Sequence, residues 1–314
     1  MVGRLVVSIS LFLSFACACS SGNGSKSNPS PAPITKKPKV GDNFDPAPDF
    51  ENIIELSVNS FAQAIVAGEK LFFTLVTNEE NSATASRMLS SVDGQNWESS
   101  TYADHTVYTT RLVKDSGGNI YMFQMDYAPG GGNSVFRTQK STDNAETWSD
   151  IDFNFPGDEI TYVADAYFGE NFWLVAANRW IDGESMWLVF KSIDHGATWT
   201  KVDQINPEME TNGTSPTKIL VTDSAIFIGG AYWDSKTSMY WRLRRSLDGG
   251  TTWETVDQWR NEARAYTYIH ALSKNSDGSI SSIGTAGRSD GLIDWVTRRS
   301  SNNGCLLYTS PSPR

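Results

Sequence analysis

Between residues 160 and 256, apolar runs alternate with short polar clusters at a spacing that fits strands, not helices. Ile160 to Ala164, Phe172 to Ala177, Met186 to Lys191 and Trp199 to Val202 form one set of four. Lys218 to Val221, Ala225 to Ile228, Met239 to Arg244 and Trp253 to Val256 form a second in the same order. The runs partly alternate in period two and are bounded by Gly, Asp, Ser and Asn, residues that favour turns. Each set predicts a four-stranded antiparallel meander. Asn52 to Val58 reads as a spare strand ahead of the first meander, placed to close a ring by joining the last.

A recurring polar segment marks the turn between the third and fourth strands of each meander. Its copies run Ser91 to Trp97 (one residue short), Ser141 to Trp148, Ser192 to Trp199 and Ser246 to Trp253, and a fifth starts at Ser300 and reaches Gly304. The equivalent positions Asp93, Asp143, Asp194, Asp248 and Asn302 step by 50, 51, 54 and 54 residues. A period near fifty enclosing short strands predicts a propeller or a related array. Ser and Asp at the head of a tight turn can bond the backbone two residues on, and Gly takes up a positive φ without steric cost. The closing Trp97, Trp148, Trp199 and Trp253 start the next strand and are expected to fold back onto the core.

The pattern Ser-x-Asp-x-Gly-x-Thr-Trp resembles the bacterial-neuraminidase, or Asp-box, repeat family over about residues 85 to 304. The resemblance implies an all-β propeller of four-stranded antiparallel blades, with four complete blades, a truncated fifth and a native ring of six or more. Sialidases, xyloglucan hydrolases, sortilin-type receptors and photosystem assembly factors share the repeat, so it implies a fold and not one activity. Ser91, Asp93, Trp97, Ser141, Asp143, Trp148, Ser192, Asp194, Gly196, Trp199, Ser246, Asp248, Gly250 and Trp253 are read as structural turn residues, with no metal bound. His195 is variable filler in such a turn.

Meander topology puts these turns on one rim and the strand two-to-three loops on the other. The second rim carries Tyr127, Arg179, Trp180, Asp182, Tyr232, Trp233, Asp234 and Arg288. Tyr127, Trp180, Trp233 and Arg288 lie 16, 14, 15 and 14 residues before the Asp or Asn of their turns. Connections between blades add Arg264, with Tyr102, Asp104, His105, Asp158, Glu159, Trp259, Arg260 and Glu262. An aromatic or Arg beside an acid, repeated around a ring, suits stacking on sugar faces and hydrogen bonds to their hydroxyls. The competing reading makes the same aromatics wedges between blades.

Two functions follow. The first is an envelope-tethered binding or assembly module that recognises a glycan or an envelope protein through this rim. The alternative is a glycoside hydrolase. Resemblance to sialidases implies three arginines on the substrate carboxylate, a Tyr nucleophile paired with Glu, and an Asp acid/base. It also implies a Phe/Tyr-Arg-Ile-Pro motif ahead of the first turn. Here the only Arg between Cys19 and Ser91 is Arg87, with no Ile-Pro after it. Other glycosidases need two carboxylates roughly 5–10 Å apart. Asp104, Glu159 and Glu262 are the rim acids for such a pair.

The ends of the chain read differently. Arg4, the apolar run Leu5 to Ala16 and Ala16-Cys17-Ala18-Cys19-Ser20-Ser21-Gly22 resemble a bacterial lipoprotein signal and its cleavage box. Lipid attachment is expected at Cys19, with Cys17 as the alternative, and the location expected is the bacterial cell envelope after export. Residues 1–18 are then the signal, 19–50 a Ser/Pro/Lys-rich tether and 51–304 the propeller. Cys305 to Arg314 matches a translated sequencing-library adapter, so 305–314 is set aside and the native chain is expected to continue past Gly304. Losing Arg4 and Arg314 takes the formal charge from −10 to −12, with no basic footprint for nucleic acid and membrane contact only through the lipid. Three histidines, and no nucleotide loop, zinc pattern or calcium loop, leave no cofactor to expect.

Overall fold

The computed structural model describes residues 58–67, 69–78, 84–93, 96–103, 105–127, 134–157, 160–181, 184–205, 213–234, 238–260, 267–288, 291–302, 304 and 308–311. Cys19, the tether and the spare strand up to residue 57 lie outside these. Twenty strands, and no helix among the described residues, group into five antiparallel meanders. Blade one holds β1 (Val58–Ala67), β2 (Lys70–Asn78), β3 (Thr84–Ser91) and β4 (Glu98–Ala103). Blade two holds β5 (Val107–Lys114), β6 (Ile120–Tyr127), β7 (Ser134–Ser141) and β8 (Ser149–Ile151). Blade three holds β9 (Tyr162–Phe168), β10 (Trp173–Ile181), β11 (Glu184–Ser192) and β12 (Thr200–Ile205). Blade four holds β13 (Gly213–Val221), β14 (Ile226–Asp234), β15 (Ser238–Ser246) and β16 (Glu254–Trp259). Blade five holds β17 (Thr267–Lys274), β18 (Ile280–Gly287), β19 (Ile293–Ser300) and β20 (Tyr308–Pro311).

First strands of successive blades neighbour one another: β1 with β5, β5 with β9, β9 with β13 and β13 with β17. The molecule is a β-propeller with the first strand of each blade innermost. Strands run longer than the apolar patterns suggest because backbone pairing continues through polar residues, as in Asn178↔Trp187 and Arg179↔Met186. The sequence pattern predicts a fifth blade of three strands, whereas Tyr308–Pro311 adds a fourth that pairs from Arg299↔Tyr308 to Val296↔Pro311. The bare edge of β19 offers its free N–H and C=O groups to the extended segment that follows, and an edge strand tolerates proline.

The core is a set of layers between blades. Phe72 and Met88 meet Leu112, Ile120 and Met122; Tyr121 and Phe123 meet Val163, Phe168, Trp173 and Val175. Leu174, Trp187 and Val189 meet Ile226 and Ile228, and Trp241 meets Ile269, Ala286 and Val296. Trp187 and Trp241 are fully buried. Each indole lies over a glycine of the next blade's second strand, where a Cβ would stand 2.3 Å from Trp187 at Gly230 and 3.0 Å from Trp241 at Gly284. The bare glycine faces let both indoles seat. Polar pairs tie the outer strands: Arg244 Nη2 donates to Asp203 at 2.5 Å and Arg298 Nη2 to Asp257 at 2.7 Å, each from one blade to the one before.

The inner strands of blades two to five share one irregularity. Their pairing with the second strand shifts register between Thr109 and Arg111, between Pro216 and Lys218, and between Ile269 and Ala271. In blade three the shift falls opposite Ala176 and Ala177, which pair with Asp165 and Val163. Such bulges re-aim the side chains that follow them.

Candidate functional site

The Ser–Asp turns connect the third and fourth strands of all five blades. In blade three Ser192 Oγ donates to Asp194 Oδ1 at 2.7 Å and accepts from Gly196 N at 2.8 Å. Asp194 also accepts from Thr198 N at 2.8 Å and from Thr198 Oγ1 at 2.6 Å. Blades two and four repeat this with Ser141, Asp143 and Thr147 and with Ser246, Asp248 and Thr252. In blade one Ser91 donates to Asp93, which accepts from Asn96; in blade five Ser300 donates to Asn302 and accepts from Gly304. These bonds, led by the threonine hydroxyl, hold the Asp143 and Asp194 carboxyls down at about 2 and push Asp248 lower still.

The turn backbone enters the left-handed region at Asn144, Ala145, His195, Gly196, Gly249 and Gly250. His195 is exposed there, with φ 55, its ring 3.1 Å from the Glu170 carbonyl oxygen. Trp199 is buried against Phe153 and Phe155, Trp148 and Trp253 are partly buried in their layers, and Trp97 packs on Phe73 at 5.2 Å. Three hydrogen bonds from the turn itself engage both oxygens of the Asp194 carboxylate. Among the described residues no three His, Cys, Asp or Glu side chains are grouped to hold a metal.

The opposite rim keeps only part of the predicted set together. Tyr127 and Asp234 end β6 and β14 in backbone pairs with Ser134 and Ser238; Asp182 and Arg264 lie outside the described residues. Trp180, near the end of β10, is 57 % exposed while its amide donates to Thr161 Oγ1 at 2.8 Å. Arg179 precedes it, half-buried. Tyr232 is buried and carries the Arg242 guanidinium 4.0 Å above its ring, a packing role within blade four. Trp233 meets Tyr268 of blade five edge-on at 6.2 Å. Arg288 heads a tight turn in which its amide donates to the Leu292 carbonyl at 2.8 Å, and its side chain faces Asp294 at 3.5 Å.

Of the connecting residues, Tyr102 donates to the Val107 carbonyl at 3.3 Å, and burial pushes its phenol up. Arg260 lies over Tyr240, and the Arg298 guanidinium lies over Trp259. Asp104, Asp158, Glu159 and Glu262 lie outside the described residues.

A polar chain that the repeat pattern does not reveal joins this side of blade two. His105 Nε2 stands 2.8 Å from Asp126 Oδ1, and Arg137 Nη1 donates to Asp126 Oδ2 at 3.1 Å. Arg137 Nη2 also donates to both oxygens of Asp150, at 3.0 and 2.9 Å, and Gln139 donates to Asp150 at 2.8 Å. Those bonds, Gln139 first and Arg137 next, lower the Asp150 carboxyl. Arg137 and Asp150 border a cleft of about 420 Å³ walled by Phe136, Phe153 and Phe155. A lone Arg in β7 gave no sequence signal; its partners come from separate strands.

No protein-family model matches the chain, and no curated protein matches it. Solved structures do. A protein of unknown function from Dyadobacter fermentans superposes with a TM-score of 0.55 at 14 % identity, over 82 % of this chain and 83 % of that one. A polysaccharide lyase, an ulvan lyase bound to -[GlcA(1-4)Rha3S]-, gives 0.55 at 13 % identity, over 79 % of this chain and 68 % of the lyase. The Hadza microbial sialidase gives 0.48 at 15 % identity, over 80 % of this chain and 57 % of the sialidase. At these identities the likeness is one of fold: this chain shares the fold of the Dyadobacter fermentans protein and of the ulvan lyase.

Proposed function

We propose that this chain is an envelope-tethered propeller module that binds a glycan through the rim opposite its Ser–Asp turns. The observation that carries this reading is Trp180, an indole 57 % exposed at the end of an otherwise buried strand and held at its backbone by Thr161. A pre-positioned aromatic face with a flanking Arg179 suits stacking on a sugar ring at small entropic cost. The ulvan lyase of the same fold is bound to a saccharide, which supports this partner class. Asp126 and Asp150 are engaged by His105, Arg137 and Gln139, as suits a scaffold. The hydrolase alternative rests on Asp104, Glu159 and Glu262. The anchor through Cys19 and export to the cell envelope belong to the same proposal.

The test is a glycan array on the unaltered chain and on Trp180→Ala, with a reducing-sugar assay beside it. The expected result is saccharide binding that falls roughly tenfold in the variant, a loss of about 1–2 kcal/mol of stacking, with no sugar released. Binding that is unchanged by the substitution overturns the rim reading. Sugar release that disappears on Glu159→Gln or Glu262→Gln replaces the module with a hydrolase.

A further inference from the structure

In blades two to five the residue that follows the bulge of the inner strand occupies one equivalent place. Arg111, Asp165, Lys218 and Ala271 each stand three residues before the pair that closes their hairpin, Lys114↔Ile120, Phe168↔Trp173, Val221↔Ile226 and Lys274↔Ile280. Because the inner strands are neighbours in sequence order, this places Arg111, Asp165 and Lys218 side by side along the inner wall of the propeller. His270 is the bulged residue of the next strand.

Asp165 is buried and fully used. It faces Arg111 Nε at 2.6 Å, accepts from Ala166 N at 3.0 Å, and reaches into the next blade to accept from Ile219 N at 2.8 Å. It therefore pairs with Arg111 at Nε as an ion pair that lacks hydrogen-bond alignment, and the two Nη groups of the guanidinium are without a partner among the described residues. Lys218 lies within electrostatic range of both Asp165 and Arg111, and of His270 beyond. It is half-buried, yet its ammonium has neither a hydrogen bond nor an ion pair among the described residues. Burial pushes this ammonium down from its ordinary value, as expected of a desolvated cation without a partner. His270 is exposed beside it, with Nε2 3.0 Å from Thr285 Oγ1, and it too is lowered, by burial and then by the Lys218 charge.

One carboxylate thus serves two cations. The local charge is positive inside a chain whose formal charge is −10, and concave low-dielectric walls focus such a field. A fork of free N–H groups beside an ammonium matches the oxygens of a carboxylate or a sulfate.

We infer that the inner wall between β5 and β13 is an oxyanion site, with Arg111 and Lys218 as its ligands and Asp165 as the residue that positions Arg111. It takes a carboxylate or sulfate group, free or carried on an acidic sugar. The acidic-sugar form rests on the glycan reading above; the oxyanion site itself does not. No bond is made or broken.

Calorimetric titration of the full chain with sodium sulfate, sodium glucuronate and glucose, at constant ionic strength, tests it. Sulfate and glucuronate are expected to bind and to displace one another, while glucose does not bind. Lys218→Met is expected to weaken both anions roughly tenfold, and Lys218→Arg to retain them. Tighter binding of glucuronate than of sulfate assigns the anion to a sugar, and equal binding assigns it to a free oxyanion. Glucose bound as well as glucuronate, anions that do not compete, or no anion binding overturns the site. The displacement measurement needs no variant, so it decides the matter even if Lys218→Met does not fold. Trp180→Ala is expected to leave sulfate binding intact, so failure at the rim and failure at the inner wall are separate results.

Discussion

Replacing Gly230 by alanine adds a single methyl group where the Trp187 indole of blade three meets blade four. The new Cβ would stand 2.3 Å from the Ser215 carbonyl oxygen, 2.3 Å from Trp187 Cζ3 and 3.0 Å from Pro216 Cα. Non-bonded heavy atoms settle at about 3.5–4.0 Å, so two of these contacts fall short by more than about 1 Å. Neither neighbour yields cheaply. Ser215 is held in register by its pair with Ala231, and Trp187 is fully buried among Leu174, Val189, Ile226 and Ile228. Overpacking of this kind costs about 3 kcal/mol, the upper part of its usual range, and lowers the midpoint of thermal unfolding by roughly 6–12 °C. Gly278→Ala is the comparison, because Gly278 has φ +81 with nothing within 4 Å of its added Cβ. It carries conformational strain without a clash, about 1 kcal/mol. Urea unfolding followed by tryptophan fluorescence measures both. A Gly230→Ala loss no greater than that of Gly278→Ala refutes the claim that the glycine exists to seat the indole.

The Asp194 carboxyl sits near 2, below its ordinary 3.8, so its stabilising effect is present above about pH 4 and is lost as pH falls through 2. The difference in thermal midpoint between the unaltered chain and Asp194→Asn should shrink from pH 5 to pH 2; a constant difference contradicts the turn bonds described. Trp199→Ala should cost about 3–5 kcal/mol in urea unfolding, more than Trp97→Ala, because Trp199 is buried and Trp97 is half-exposed. Asp165→Asn should cost about 3 kcal/mol by removing the buried carboxylate that pairs with Arg111 across two inner strands, and adding Arg111→Met should recover part of it. Strictly additive losses in that pair of substitutions would show that the two residues do not act together.

What the sequence displays well is whatever repeats locally. A Ser–Asp turn needs its donors and acceptors within about six residues, so each copy carries its own complete signal, and four copies in phase announce the blades. The axis and the rim are assembled from different copies and leave no such signal. Arg111, Asp165 and Lys218 occupy equivalent places after equivalent bulges, but they are an arginine, an acid and a lysine. Self-comparison of the repeat therefore treats them as variable positions. Strands run past the apolar pattern for the converse reason: Asn178 and Arg179 are polar, yet they pair in the sheet with Trp187 and Met186 of β11.

The two glycines and the two indoles carry this reasoning one step further. Trp187 and Trp241 are 54 residues apart, and so are Gly230 and Gly284. Each indole presses on a glycine one blade ahead, so the repeat is written in the pair and not in either residue alone. Blades two and three lack the glycine: Gln124 and Ala177 stand opposite Thr109 and Val163 just before their bulges. The layer between blades two and three is filled from another direction, by Phe153, Phe168, Trp173 and Trp199 in mutual edge and stacked contacts. One backbone repeat thus supports two unlike packing solutions. A side chain on the rim is consequently free to vary from blade to blade, since the layers and turns below it already hold the blades together. Trp233 spends its ring on Tyr268 of the next blade, and Trp180 does not. That difference, invisible in two aromatic residues at matching places in a repeat, is what singles out Trp180 as the surface on which a sugar would rest.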